Sequence, residues 1–154
     1  MFPGHTQEGY IKLMPDPYDL QRFVDAQDRG GTYESTVEEL RRGRKTTHWM
    51  WFVFPQIEGL GRSEMARRYA ITSLEEAQAY VEHPVLGPRL LECTQILAGG
   101  DHGSAVQILG SVDAQKLRSS MTLFLAAAPN EPLFQQVLDR YFEGRADPET
   151  ERRL

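Results

Sequence analysis

The chain carries a single cysteine, Cys93, among 154 residues. One thiol cannot close an internal disulfide, so the sequence implies a reducing, cytoplasmic setting. Long apolar runs are missing as well. The most apolar stretch, Trp49 to Phe54, is far shorter than the roughly 20 residues that a bilayer span needs, so no membrane partner is expected. The N-terminus, MFPGHTQEGYIKLM, has neither a basic start nor an apolar stretch, which excludes a secretory signal. A basic excess is also lacking. Seventeen Lys and Arg against 22 Asp and Glu leave a net charge of −5, with histidine neutral, which argues against a general nucleic-acid coat. The four histidines (His5, His48, His83, His102) show no metal-ligand spacing, and no metal or cofactor is expected. Phosphate-loop, dinucleotide, nucleophile-elbow and zinc-protease motifs are absent. Oligomeric state is not legible.

What is present is ordinary globular material, 40% hydrophobic and 25% charged, with the length of one domain. We divide it into an N-terminal extension, residues 1–15, and a single helical domain, residues 16–154. Helix signals dominate. Asp16-Pro17 reads as an N-cap followed by proline at the first helical position, opening a helix to about Asp28. Thr32 caps a second helix that ends at Gly43, the expected left-handed residue. Ser63 caps a short third helix. Ser73 and Glu76 have capping-box spacing, and His83-Pro84 breaks the helix they start. Further helices are expected over 85–98, after Ser104, from Ser111 to before Pro129, from Pro132 to Gly144, and after Asp147-Pro148. The fold class is therefore mainly α: a compact irregular bundle of about seven to eight short helices. Periodicity cannot separate helix from strand at Trp49–Phe54, and a small strand pair near 49–57 is the alternative there.

The densest chemical feature is RRGRKTTHWMWFVFPQIEGLGRS. Four of the 17 basic residues fall between Arg41 and Lys45, directly before His48, Trp49 and Trp51. Arginine forks and lysines hold phosphate, and an indole face stacks on a base or nicotinamide ring. Lys45 and Arg44 are therefore candidate phosphate ligands, and Trp49 and Trp51 candidate stacking platforms. His48 is a candidate general base. Gln56 and Ser63 are candidate orienting groups. A second stretch, GSVDAQKLRSSMTLF, adds Asp113 as a candidate catalytic carboxylate, with Lys116, Ser119 and Ser120 as candidate ligand-binding groups. Asp113 and Lys116 also have the spacing of a plain helix-surface ion pair. Ser119, Ser120 and Thr122 are hydroxyls in an apolar helix, where they need partners. Each aromatic taken alone reads better as core than as a stacking platform.

The strings RFVDAQ, EELRRGRKTTHWMWFVFPQIEGLGRSEMARRYAI, EAQAYVEHPVLGPRLLE and ILGSVDAQKLRSSMTLF together resemble the bacterial domain of unknown function 1810 family, some of whose members are labelled calpastatin. The resemblance covers about residues 18 to 143. It implies a compact, mostly helical bacterial cytosolic protein and carries no catalytic role. A fainter similarity of style to the NADAR family, which processes ADP-ribose adducts, points to ADP-ribose chemistry. The resulting expectation is a protein that binds or processes a phosphorylated, nucleotide-like small molecule, with a pocket enclosing His48, Gln56 and Ser119. The alternatives are a non-catalytic module that binds protein or nucleic acid through its basic face, and a purely structural motif without a ligand.

Overall fold

A computed structural model describes residues 15–154. The proposed N-terminal extension, up to residue 14, lies outside them. The chain folds as α1 (Gln21–Asp28), a 3₁₀ turn (Arg29–Gly31), α2 (Thr32–Arg42), α3 (Met50–Val53), α4 (Glu64–Arg68), α5 (Leu74–Glu82), α6 (Leu86–Gly99), α7 (Ala105–Leu109), α8 (Ser111–Ala127), α9 (Pro132–Phe142) and α10 (Pro148–Arg152). The long helix α8 is the axis of the bundle. Helices α5, α7, α9 and α10 pack against it, while α6 ties α2, α5 and α9 together. Leu117, Met121, Leu123 and Phe124 of α8 are fully buried with Tyr80, Leu90, Phe134 and Leu138 from its neighbours. No helix among the described residues is long and apolar enough to cross a membrane.

The strand pair near 49–57 does not form, and the described residues contain no sheet. Instead Met50–Val53 makes one helical turn, in which the Trp49 carbonyl accepts from the Val53 N–H at 3.1 Å. Trp49, Met50, Val53 and Phe54 are all but completely buried. No neighbouring strand is there to serve their backbone groups, and a helical turn satisfies its own. The only β-type pairing in the described residues is an isolated parallel bridge between Ile57 and Ile71.

Three of the expected caps work differently. Thr32 is the first residue of α2, which starts after Gly31 without a side-chain cap, and its hydroxyl donates to the Arg29 carbonyl at 2.6 Å. Asp16 does cap, but four residues early. Its carboxylate accepts from the N–H groups of Leu20 (2.8 Å) and Gln21 (2.9 Å), so Pro17 belongs to a turn and α1 begins at Gln21. Ser73 accepts from the Glu76 N–H, yet Glu76 does not reach back. Its side chain is buried and accepts instead from Thr72 and from the Arg22 guanidinium. Ser104 and Gln107 form the complete reciprocal box.

His83 ends α5 and starts α6. Its Nδ1 accepts from the N–H groups of Val85 (3.1 Å) and Leu86 (3.2 Å), a role open only to the unprotonated nitrogen. Burial pushes the pKa of His83 below its ordinary 6.5, against the attraction of Asp16. The unfolded chain therefore takes up this proton first. The stabilisation is present above pH 6.5 and is lost as pH falls through the depressed value. Urea melts from pH 7.5 to 5 should show this slope, and His83→Asn, which keeps a capping acceptor, should flatten it.

Candidate functional site

Helix α2 ends in a Schellman motif. The Gly43 N–H donates to the Leu40 carbonyl (3.1 Å) and the Arg44 N–H to the Glu39 carbonyl (3.0 Å), with Gly43 at φ 78°, as glycine alone adopts easily. The chain then reverses, and the Lys45 N–H fastens to the Ile108 carbonyl of α7 at 2.8 Å. The loop beyond wraps around one buried carboxylate, Glu39. It accepts from the N–H groups of Thr46 (2.7 Å) and Thr47 (3.0 Å), the Thr47 hydroxyl (2.6 Å) and the Trp49 indole N–H (3.0 Å).

This wrapping sends Lys45 inward. Its side chain is 9% exposed, with Nζ 3.0 Å from Asp113 Oδ2 and 5.2 Å from the centre of the Trp49 ring. One helical turn beyond Asp113, Lys116 Nζ lies 3.7 Å from Asp113 Oδ1 and 5.0 Å from the centre of the Trp51 ring. The two sequence motifs therefore meet. Two ammonium groups, each against a different tryptophan, share one carboxylate. The trio keeps one positive charge in a partly desolvated place, where electrostatic attraction is stronger than in water.

The other predicted residues spread out. Arg44 and His48 are exposed at the edge of the same loop, with no side-chain hydrogen bond among the described residues. Trp51 is half-buried, whereas Trp49 is fully buried and belongs to the core. Gln56 is half-buried, and its carbonyl accepts from the Ile71 N–H. Ser63 is exposed and caps α4 through the Ala66 N–H. Ser119 and Ser120 are buried, and no side-chain hydrogen bond among the described residues joins Ser119 to His48 or Gln56, the residues with which it was expected to share a pocket. Ser119 donates to Asp147 Oδ2 at 3.0 Å, and Thr122 accepts from the Asp147 N–H at 2.8 Å. Both dock α10, whose Thr150 also bonds Asp147. The Ser120 hydroxyl is buried without a partner among the described residues. No group of three or more histidine, cysteine or acidic side chains suited to a metal occurs among the described residues.

Glu39 is not among the residues that the sequence singles out. The signal open to the sequence is a glutamate followed within ten residues by two threonines and a tryptophan, all donors.

The described residues define a small all-α protein in which Lys45 and Lys116 share one carboxylate. The chain matches the family described as "Protein of unknown function (DUF1810)" over residues 17–154, and it belongs to that family. It is also similar to the crystal structure of the conserved hypothetical protein Rv1873 from Mycobacterium tuberculosis. The two share 52% identity with a TM-score of 0.87, over 90% of this chain and 98% of that one. No curated protein matches it.

Proposed function

We propose that this protein binds a phosphorylated, nucleotide-like small molecule at the Lys45–Asp113–Lys116 cluster, with ADP-ribose as the first compound to test. The carrying observation is that Lys45 and Lys116, distant in sequence, converge on one carboxylate. A structural ion pair needs one lysine. The second leaves a charge for a phosphate to neutralise, and Asp113 holds both ammonium groups in place before the ligand arrives. Trp51, partly accessible beside Lys116, offers a ring face to a base. Arg44 and His48 are exposed on the same loop, and His48 is the group that would handle a proton if the ligand is turned over. A bacterial cytoplasmic setting accords with this ligand class and with one buried thiol.

Thermal denaturation with ADP-ribose, AMP and inorganic phosphate tests the reading. At a hundredfold excess over its dissociation constant, a ligand adds about 2.7 kcal/mol, which raises the melting temperature of a chain this size by roughly 5–10 °C. Lys45→Ala and Lys116→Ala should each abolish the rise. No rise with any of the three ligands, or an equal rise in both variants, would sink the proposal.

One observation favours a second reading, a non-catalytic module that docks a protein. Val106 and Val112 are 54% and 68% exposed, on the two helices that flank the Lys45 anchor. Val112→Glu should leave the ligand-induced rise intact if the site serves a small molecule.

A further inference from the structure

A cleft of about 410 Å³ opens between the start of α1, with the turn before it, and the segment 58–76. Its size falls within the range of small-molecule sites. Nothing in the Lys45 cluster uses it.

Its lining includes an ion pair, half-buried Arg22 with buried Glu76, at 3.1 Å, and both partners are fully engaged. The Arg22 guanidinium donates to the carbonyls of Arg68 (2.9 Å), Tyr18 (2.5 Å), Asp19 (2.8 Å) and Ala70 (2.8 Å), besides Glu76. Glu76 also accepts from the Thr72 N–H and hydroxyl. This clamp rigidifies both banks of the cleft. It also holds Asp19 in the left-handed region, φ 51°, a conformation that costs a non-glycine residue energy and collects at ligand clamps.

The rim is different. Asp19, Glu58, Arg67 and Arg68 line the same cleft and are exposed. Two are anionic and two cationic, yet no ion pair or side-chain hydrogen bond joins any of them to a described residue; Arg68 Cζ lies 5.5 Å from the centre of the Tyr69 ring. Opposite charges therefore line one cleft without pairing among the described residues. A molecule with both charges can bridge them.

We propose that this cleft binds a small zwitterion, its acid group held by the Arg67 and Arg68 guanidinium groups and its amino group by Glu58 and Asp19. Guanidinium forks accept carboxylate and phosphate alike, so the acid group is of either kind. An amino-acid panel and O-phosphoethanolamine serve as the two probes.

The test is a heteronuclear NMR titration of the full chain to about 10 mM, where a millimolar ligand saturates. Saturable shifts are expected at the amides of residues 18–22, 58 and 66–72 with one probe class, and the responding class identifies the acid group. N-acetylation of that probe should weaken binding about tenfold, as should the Arg67→Ala, Arg68→Ala double variant and Glu58→Gln. All three changed side chains are exposed, and an unaltered spectrum of the free variant confirms the fold. Lys45→Ala should bind as tightly as the unaltered chain, which separates this site from the paired-lysine cluster. Shifts that fail to saturate with both probes, or binding unchanged in the double variant, would overturn the proposal.

Discussion

Replacing Gly87 with alanine should destabilise the protein by about 3 kcal/mol or more, lowering its melting temperature by roughly 6–12 °C. Gly87 is buried in the first turn of α6, where that helix leaves the His83-Pro84 corner. A Cβ there would lie 2.1 Å from the Val81 carbonyl oxygen and 3.1 Å from its carbon. Both are backbone atoms of α5, so no rotamer change relieves the contact and one helix must move. Neither is free to do so. Helix α5 packs on the central α8, and α6 on α2 and α9. Gly99, at the other end of α6, is the control. A Cβ there meets nothing within 4 Å, so Gly99→Ala should be neutral or stabilise by about 0.5–1 kcal/mol. Circular dichroism melts of the two variants decide it. A Gly87→Ala protein that melts within a degree of the unaltered chain would refute the backbone clash.

How much of this was legible follows from the range over which each interaction acts. Gly43, Ser63, Pro132 and Asp147 mark helix ends through bonds to residues a few positions away, and those ends fall where expected. The resemblance to the unknown-function family rested on a long central string, and the match over residues 17–154 bears it out. The run Trp49–Phe54 could not be typed, because what decides it is the absence of a neighbouring strand. Burial of carboxylates was the least legible property. Glu76 is neutralised by Arg22, 54 positions away, and Asp147 bonds Ser119, 28 positions away. In the site, the Asp113–Lys116 pair could be read from helical spacing. The Lys45 contact with the same carboxylate depends on how α7 anchors the loop after Gly43, which no local pattern encodes. Of the three hydroxyls expected to need partners, Ser119 and Thr122 find one in Asp147, the N-cap of α10, and Ser120 has none among the described residues.

Glu39→Ala should cost about 3 kcal/mol, again roughly 6–12 °C in melting temperature, although the residue contributes no apolar packing. Its carboxylate is the common acceptor of four donors. Of these, the Trp49 indole N–H is in the core and has no water to turn to. Burial by itself raises the pKa of Glu39, but the bonds from Thr47, Thr46 and Trp49 outweigh it and bring the value down from 4.5 to about 2. The folded state therefore holds the charged form more tightly than the unfolded chain does. The resulting stabilisation, on the order of 3 kcal/mol, is fully present above pH 4.5 and is lost as pH falls through about 2. Glu39→Gln separates charge from geometry. Its Oε1 can keep the three N–H donors, and its amide can donate to the Thr47 hydroxyl. This variant should lack the acid-side slope between pH 4.5 and 2, while still holding Lys45 over Asp113. Urea melts across that interval check the first point, and identical slopes for the two proteins would refute it. The second predicts that any phosphorylated ligand binds Glu39→Gln nearly as well as the unaltered chain and Glu39→Ala far more weakly. Under that outcome, the glutamate acts on the site by shaping the loop that carries Lys45, and its charge matters to folding alone.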